Sequence, residues 1–221
     1  LQASDYKKGM KLIPSGIKKN YNKIKNLNKN IRIKTWDNED IINLINIDYK
    51  EYLDLYKKIT DLRFKSDLAR MLILYKFGGI YIDIDQECLV DFNKFGINDK
   101  TKLVLGKSLE NNRVSNGFIY VKNINNSFIK ECIDEYVSNL KQNYNYSGCQ
   151  AINNILNKYP NLDLLLLENC IKKEEECSSI TEFYLSFYFF NSKGEKIMRS
   201  RYPNYYADKE ISNFKQLETF N

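Results

Sequence analysis

Two aspartates, Asp83 and Asp85, stand two residues apart at the end of a short apolar run in the segment 81–85. Side chains at i and i+2 of a β-strand project from the same face, so a strand here would direct both carboxylates to one side. Two like charges that close repel each other unless a cation lies between or beside them. Because Mg²⁺ and Mn²⁺ prefer carboxylate and phosphate oxygens, the spacing indicates a metal–diphosphate site at the exit of a strand.

The composition of the 221-residue chain narrows the chemistry further. It contains no histidine, which excludes Ser-His-Asp and Cys-His catalysis and every His-ligated metal site. Any chemistry must therefore rest on carboxylates, Arg, Lys, Tyr, amides and a metal. The five cysteines include no CxxC pair, which argues against a zinc site or a disulfide framework and favours a reducing compartment. A Cys170–Cys177 disulfide remains the open alternative.

The charge and hydropathy of the chain indicate in which compartment the protein acts. The net charge of +6 is spread along the chain, which is typical of a solvated surface; attraction of an anionic ligand and a peripheral membrane contact are the alternatives. No apolar run approaches the roughly 20 residues of a membrane span, and the first residues lack the features of a signal peptide. We expect a cytoplasmic protein, with membrane-peripheral contact left open. The abundance of Lys, Asn, Ile and Tyr favours an A/T-rich genome, as in many bacteria and large viruses.

Hydrophobic spacing predicts alternating helices and strands. The predicted helices are 14–27, 39–45, 49–59, 65–77, 127–140 and 150–157, and the predicted strands are 31–36, 80–83, 103–106, 117–121, 162–167, 183–190 and 196–199. We expect Asp37 or Asn38 to cap the second helix and Gly78-Gly79 to end the helix 65–77. This order predicts a single α/β domain over 1–221 around a mixed sheet.

The helix 65–77 carries Asp67 and Arg70 three residues apart on one side, among leucines, Met71 and Ile73. Polar groups on a helix this apolar need partners. They either pair with each other, which contributes only about 0.2–0.5 kcal/mol if exposed, or reach past the helix to bind a polyhydroxyl ligand held by the adjacent metal. The residues alone leave both interpretations open, and an isolated DxD can equally be two solvated acids at a turn.

These segments resemble a known family. SDLAR at 66–70 and GGIYIDID at 78–85 resemble the DxxR…GGxYxDxD signature of DxD-type glycosyltransferases. The subgroup is the family 32-like one, which includes capsular polysaccharide transferases, mannosyltransferases and glucosylating clostridial toxins. SNGF at 115–118 and SGCQ at 147–150 are similar to its xNGF strand and TGP turn, although the proline is absent. The resemblance spans roughly 1–160 and implies a single GT-A (Rossmann-like) domain whose first strand is truncated.

The resemblance also implies roles for particular residues. Asp85 would ligate Mn²⁺ or Mg²⁺, and Asp83 would contact the ribose, the donor sugar or the metal through water. Asp67 and Arg70 would hold hydroxyls of the donor sugar. Two further residues, Asn116 and Gln150, would lie near the reacting carbon on the acceptor side. The donor is expected to be a UDP-sugar, with a GDP-sugar as alternative, and the acceptor a glycan or a lipid- or protein-linked hydroxyl.

Other predicted substrate-binding residues are less well defined. Gln2 and Ala3 are what remains of the family's base-binding first strand. Trp36 is either a core residue or a ring beside the base. Tyr205 belongs to an aromatic, basic stretch, 199–208, that forms either a lid over the diphosphate or a packed terminus. Tyr81 and Gly117 complete the predicted set through their places in the two motifs.

The subgroup retains anomeric configuration. Because no further carboxylate is evidently placed as a nucleophile, front-face attack is favoured over double displacement. Two other classes of function fit these residues less well. A DxDx(T/V) phosphatase is disfavoured because Gln86 and Glu87 follow the second aspartate and no Thr does. A basic, tyrosine-rich nucleic-acid or glycan binder would leave the paired aspartates unexplained, so no nucleic-acid partner is expected.

Overall fold

The computed structural model describes residues 15–84, 86–108, 113–142, 146–173 and 185–200. Six α-helices lie in these ranges: α1 (Ser15–Leu27), α2 (Asn38–Asp48), α3 (Leu53–Lys58), α4 (Leu62–Phe77), α5 (Ser127–Leu140) and α6 (Gly148–Lys158). Seven strands accompany them: β1 (Gly79–Ile82), β2 (Gln86–Cys88), β3 (Leu103–Ser108), β4 (Val114–Val121), β5 (Leu165–Lys173), β6 (Leu185–Phe190) and β7 (Lys196–Ser200). Short 3₁₀ turns occupy Lys50–Tyr52 and Phe92–Phe95. No helix in these ranges has the length and apolar character needed to cross a bilayer.

The strands form one mixed sheet in the order β1-β4-β3-β5-β6-β7-β2. β3 and β5 pair in parallel, and the other neighbouring strands pair antiparallel. A bulge between Leu105 and Gly106 shifts the register of β3 against β4. The predicted α/β class, with a mixed central sheet flanked by helices, is confirmed.

The two edge strands of this sheet, β1 and β2, are consecutive in the chain and only residues 83–85 separate them. Four residue steps span at most about 14 Å, whereas seven strands laid flat would be about 29 Å wide. The sheet must therefore curl until its edges converge. At the point of convergence the Asp83 N–H donates to the Gly117 carbonyl, and the Gln86 N–H donates to the Asp83 carbonyl. The DxD segment thus lies where the two edges meet.

The core lies on both faces of the sheet, as the alternation along β3 shows. Leu103 and Leu105 belong to a large cluster formed with α2 to α6, and Val104 between them belongs to a second cluster. That second cluster contains Cys88 of β2 and Ile24 of α1. Helices α4, α5 and α6 therefore cover one face next to the site, and α1 covers part of the other.

Helix α4 positions the site and has well-defined ends. Asp61 caps its N-terminus by accepting a hydrogen bond from the Arg63 N–H. Gly78 ends it with a φ of 61°, and Gly79 follows at 83°. A Cβ on Gly78 would also lie 3.1 Å from the Val121 carbonyl oxygen. Both the positive φ angles and this close approach favour glycine at the turn into β1.

Several boundaries differ from the sequence predictions. The predicted strand 31–36 is wrong, since no strand is assigned there. Ile31 is exposed, and Ile33 and Trp36 pack against different core clusters. The predicted helix 49–59 divides into a 3₁₀ turn and α3, and the strand predicted at 162–167 begins only at Leu165. β2 was missed because Gln-Glu-Cys has no strand-like alternation. Pro14, Phe183 and Tyr184 lie outside the described residues.

A buried carboxylate holds β2 in place. Glu87 is 6% exposed and faces Arg199 in the β2–β7 register. The Arg199 Nε and Nη2 atoms lie 3.0 and 2.5 Å from Glu87 Oε2, and Lys23 Nζ of α1 lies 2.8 Å from Oε1. One carboxylate therefore ties α1 and β7 to the strand that follows the DxD segment.

We expect Glu87→Ala to lower the free energy of unfolding by about 3 kcal/mol, because it leaves the Arg199 charge partly buried without its carboxylate. Asp134→Ala is the matched control, since it removes a carboxylate from the exposed Lys130–Asp134 pair and should change stability by about 0.5 kcal/mol or less. Urea unfolding followed by circular dichroism measures both. Equal losses in the two variants would contradict a structural role for the Glu87 cluster.

Candidate functional site

The site is built around the guanidinium of Arg70, which is 5% exposed. Its Nη1 atom donates to Asp83 Oδ2 at 3.2 Å and to the Asn116 carbonyl at 2.6 Å. Its Nε and Nη2 atoms donate to the carbonyl and hydroxyl of Ser66, and Nη2 also lies 3.3 Å from Asp67 Oδ1. These contacts show that all three guanidinium nitrogens, which carry five N–H donors, face protein oxygens. The oxygens come from α4, from β4 and from Asp83 after β1.

Asp67 is the second buried charge of the cluster, at 7% exposure. Its Oδ1 accepts from the Asn116 side-chain amide and its Oδ2 from the Gly148 N–H, both at 2.7 Å. Gly148 is the first residue of α6, where unpaired N–H groups and the helix dipole favour an anion. Burial raises the pKa of Asp67, while Arg70, Gly148 and Asn116 favour its ionised form. Asp67 thus joins α4 to β4 and α6.

Asp83 is the carboxylate that reaches solvent, with a side-chain exposure of 29%. The Tyr81 hydroxyl donates to its Oδ1 at 2.8 Å, and Arg70 binds its Oδ2. The Tyr81 ring also lies under the guanidinium, 4.8 Å from the Arg70 Cζ atom. A carboxylate has about four lone-pair positions, so Asp83 is held in orientation and still has acceptor capacity for a ligand.

Opposing effects set the pKa values of Arg70 and Tyr81. Burial opposes the charged form of Arg70, but Asp83, Tyr81 and Asp67 outweigh it and hold the pKa of Arg70 above its ordinary value. Burial also raises the pKa of Tyr81, an effect that Arg70 opposes and Asp83 reinforces. Near neutral pH the cluster therefore keeps a charged guanidinium and a neutral phenol that donates a hydrogen bond to Asp83.

Two glycines allow this close packing. A Cβ on Gly117 would lie 3.0 Å from Asp83 Oδ2 and 3.0 Å from Gln86 Nε2. A Cβ on Gly148 would lie 2.8 Å from Asp67 Cγ and 2.9 Å from Asn116 Nδ2. Any larger residue at either position would push a carboxylate out of place, so β4 and α6 approach the cluster only through glycine.

The structure brings together many of the predicted site residues, and the sequence did not establish which would meet. The residues that converge are Asp67, Arg70, Tyr81, Asp83, Asn116 and Gly117. The mutual Asp67–Arg70 pair exists, but it is buried and extended by further partners. Four predicted residues, Gln2, Ala3, Asp85 and Tyr205, lie outside the described residues.

Two other predicted residues have different surroundings. Gln150 is exposed in the first turn of α6, where its Oε1 accepts from the Ser147 N–H at 2.8 Å in a capping box. Trp36 packs against Phe77 and under Lys34 Nζ, 3.7 Å from the ring centroid. Phe77 is seven residues beyond Arg70 along α4, about 10 Å at helical rise. Trp36 therefore contacts the end of α4 that is remote from the cluster.

The route by which Asp83 is positioned also differs from the prediction. β1 ends at Ile82, and Asp83 begins a turn. The Asp83 carbonyl accepts a hydrogen bond from the Gln86 N–H at 3.0 Å. The predicted strand 80–83 is therefore displaced by one residue, since β1 spans Gly79–Ile82. The orientation of Asp83 comes from Tyr81, Arg70 and the Gly117 carbonyl rather than from the alternation of a strand.

Three residues of the site were missed in the sequence. Ser66 lies in the SDLAR motif at 66–70 and Gly148 in the SGCQ motif at 147–150. Membership of these motifs was the feature of the sequence that could have identified them. The third, Gln86, begins β2 and is 5% exposed. Its Oε1 atom is buried and makes no hydrogen bond among the described residues. A polar residue directly after a DxD was its only signal.

The donor atoms present fit a hard divalent cation. No group of three or more His, Cys, Asp or Glu side chains that could hold a metal occurs in the described ranges. The Asp83 carboxylate offers oxygen donors, which suit Mg²⁺ or Mn²⁺ rather than a soft metal. Such cations usually keep waters and take phosphate oxygens, so a small protein donor set is the expected one.

Part of this chain matches a known family model. Residues 14–102 match the family model described as "Glycosyltransferase sugar-binding region containing DXD motif". This part of the chain is similar to the DxD region of glycosyltransferases, which confirms the resemblance seen in the sequence. Three residues of the site lie beyond the matched range, namely Asn116, Gly117 and Gly148. The fold brings them into contact with the matched residues Asp67, Arg70 and Asp83.

One curated relative is the "Uncharacterized glycosyltransferase L373" of Acanthamoeba polyphaga mimivirus, 35% identical over 88 residues. The match covers 39% of this chain, and the chain spans about a third (35%) of the relative's length. A solved structure, "PaToxG Glycosyltransferase", aligns with a TM-score of 0.47 at 19% identity, covering 68% of this chain and 66% of the other.

Gly148→Ala tests the close approach of α6. Glycine to alanine inside a helix normally stabilises by about 0.5–1 kcal/mol, but here the new Cβ collides with Asp67. We expect a loss of about 1–3 kcal/mol in the free energy of unfolding, as for other overpacked sites. Asn157→Ala, at an exposed position of the same helix, should be close to neutral. A stabilised Gly148→Ala protein in urea titrations would show that α6 does not press against Asp67.

Proposed function

We propose that this chain is a metal-dependent glycosyltransferase that moves a sugar from a nucleotide-sugar donor to a hydroxyl acceptor. The observation that carries the proposal is the solvent-reaching Asp83, held by Arg70 and Tyr81 within the DxD region. A UDP-sugar is the preferred donor and a GDP-sugar the alternative. The acceptor is a glycan or a lipid- or protein-linked hydroxyl, and residues 1–221 act as one domain.

The two aspartates have different tasks in this proposal. Asp85 would hold Mn²⁺ or Mg²⁺ as a carboxylate ligand. Both oxygens of Asp83 already accept a hydrogen bond from the protein, so Asp83 uses its remaining lone pairs for a ribose or sugar hydroxyl or for a water on the metal. When bound, the cation neutralises the charge that develops on the leaving diphosphate.

Arg70 and Asp67 act mainly as positioning residues. The nitrogens of Arg70 are already directed at protein oxygens, and Asp67 accepts from Asn116 and Gly148. Direct contact with sugar hydroxyls would require these hydrogen bonds to be exchanged. If Arg70 instead holds Asp83 and the Asn116 backbone in place, its present hydrogen bonds are kept. Asn116 and Gln150 are proposed to lie on the acceptor side.

Retention by front-face attack is the proposed stereochemical course. In this step the acceptor oxygen forms a bond to the anomeric carbon as the bond to the diphosphate oxygen breaks on the same face. The acceptor proton passes to the leaving diphosphate oxygen. Asp67 is unsuited to be a covalent nucleophile because it is buried and hydrogen-bonded at both oxygens. That leaves Asp83 as the described site carboxylate open to solvent, and it is held by Arg70 and Tyr81.

We expect Asp85→Asn to abolish Mn²⁺-dependent binding of UDP and UDP-sugars and to leave the far-UV circular dichroism spectrum unchanged. The amide has no charge with which to bind the cation. Titration calorimetry with and without Mn²⁺ measures the effect, and Asp134→Asn on the exposed face of α5 is the control. Retained Mn²⁺-dependent transfer or donor hydrolysis in Asp85→Asn would contradict the proposed role of Asp85 as the metal ligand.

Arg70→Lys tests the positioning role because it keeps the charge and removes the planar fork. We expect donor hydrolysis or transfer to fall by about 10²-fold, as when reacting groups are misplaced by about 1 Å. Binding of free UDP with Mn²⁺ should change by less than about threefold, or roughly 0.6 kcal/mol. Arg63→Lys, at an exposed position of α4, is the control. Equal losses in UDP binding and turnover would show that Arg70 is purely structural.

A further inference from the structure

Large apolar side chains are exposed at the end of helix α4 that is remote from the site. Phe77, in the last turn of α4, is 52% exposed, and Ile124, in the loop after β4, is 59% exposed. The loop lies against the helix end, because a Cβ on Gly78 would be 3.6 Å from the Asn123 carbonyl carbon. The Asn125 N–H also donates to a carbonyl of the last turns of α4 at 2.7 Å. Ile124 is therefore held beside the end of α4.

Further apolar groups border this end of the helix. The Trp36 ring lies 5.5 Å from the Phe77 ring. On α2, Ile47 is 78% exposed and directly precedes Asp48, whose carboxylate pairs with Lys76 next to Phe77. Single exposed apolar residues are normal on a protein surface, but several close together usually mark an interaction surface.

Lysines border this surface on the side of Ile124. The Lys122 N–H donates to the Lys102 carbonyl at 2.9 Å, and the Lys122 ammonium group contacts the Asp99 carbonyl. Lys100 belongs to the same loop, and all three lysines are exposed. Among the described residues, no carboxylate lies within 4 Å of their ammonium groups. The three lysines also outnumber Asp99, so this side of the surface carries positive charge.

The combination of apolar and basic groups indicates the class of partner. An apolar protein surface would bury the aromatic and aliphatic groups but would leave the lysines without counter-charges. The interface of an anionic bilayer offers both, since it takes up apolar side chains and attracts lysines to its headgroups. Lysine stems can lie along the apolar surface while the ammonium groups stay at the headgroups. Such a contact needs no spanning helix, and none occurs in the described ranges.

We propose that this end of the protein docks on the surface of a bilayer that contains anionic lipids. The docking face consists of five exposed side chains: Phe77, Ile124, Lys100, Lys102 and Lys122. Strand β1 leads from this face to Asp83 and is four residues long, or about 13 Å. Docking therefore leaves the DxD turn uncovered, and the proposal does not depend on the function proposed for that turn.

The experiment measures co-sedimentation of the 221-residue chain with two kinds of vesicle. One contains phosphatidylcholine alone, and the other is an equimolar mixture of phosphatidylcholine and phosphatidylserine. We expect the protein to bind the anionic vesicles and to bind the neutral ones at least about 10-fold more weakly, because each lysine near an anionic surface contributes about fivefold in partitioning.

Ile124→Ser removes an apolar group from the docking face. Its matched control is Leu62→Ser, since Leu62 is 39% exposed at the other end of α4, about 22 Å from Phe77 at helical rise. We expect Ile124→Ser to weaken binding to the anionic vesicles by about 10-fold, as for the loss of a buried aliphatic side chain. Leu62→Ser should bind like the wild type. Circular dichroism checks that both variants are folded.

A second pair of variants tests the charge. One replaces the three lysines of the docking face by glutamine and should bind the anionic vesicles about 100-fold more weakly. The control replaces three exposed lysines of α1, namely Lys18, Lys19 and Lys25, and should keep most of the binding although it loses the same charge. Because all six positions are exposed, this pair still tests the docking face if Ile124→Ser folds poorly.

The remaining outcomes would overturn the proposal. They are failure of the wild type to bind anionic vesicles, equal binding to neutral vesicles, and equal losses in a docking-face variant and its control. Sedimentation velocity without lipid tests the other occupant, because a wild-type dimer that dissociates in Ile124→Ser would show that a second copy covers the face. Binding of UDP with Mn²⁺ in solution reports on the proposed function separately, so either proposal can fail while the other stands.

Discussion

The rest of the site depends on a guanidinium charge held inside the protein. Arg70 is 5% exposed, and a buried charge is stable only when oxygens surround it. Those oxygens come from its own helix, from the backbone of β4 and from the carboxylates of Asp67 and Asp83. Satisfying this one cation therefore brings α4, the end of β1 and β4 into fixed positions. Asp67 extends the arrangement to the N-terminus of α6 through the Gly148 N–H.

The curled sheet is what allows these groups to meet. Because β1 and β2 are the opposite edges of the sheet and are joined by residues 83–85, the edges converge at the DxD turn. Convergence brings backbone very near to carboxylates, and Gly117 and Gly148 are the positions where a side chain would intrude. On the far side of the turn, the buried Glu87 cluster with Lys23 and Arg199 anchors β2 to α1 and β7. The turn is thus held from both sides, with Asp83 exposed between them.

Sequence patterns predicted the helices best, because helical spacing is local and needs no partner. The limits of α5 at Ser127 and Leu140 and the end of α4 at Gly78 agree with the prediction. Strands were less predictable, since a strand exists only where another strand pairs with it. The alternating segment 31–36 is not a strand, whereas Gln86–Cys88, which shows no alternation, forms β2 by pairing with β7. For the site, motif spacing identified Asp67, Arg70 and Asp83, but not whether they face ligand or protein.

By itself the sequence narrowed the chemistry and predicted most of the helices. The absence of histidine, the DxD spacing and the glycine pair after an apolar helix favour oxygen donors at the end of a strand. Only the tertiary structure decided the partners. Arg70 binds the Asn116 carbonyl 46 residues away, and Asp67 binds the Gly148 N–H 81 residues away. It also decided that Gln86 is buried, with a side-chain oxygen that has no hydrogen-bond partner among the described residues. The physical reason is that burial and hydrogen-bond partners depend on how distant segments pack, which local propensity and spacing do not encode.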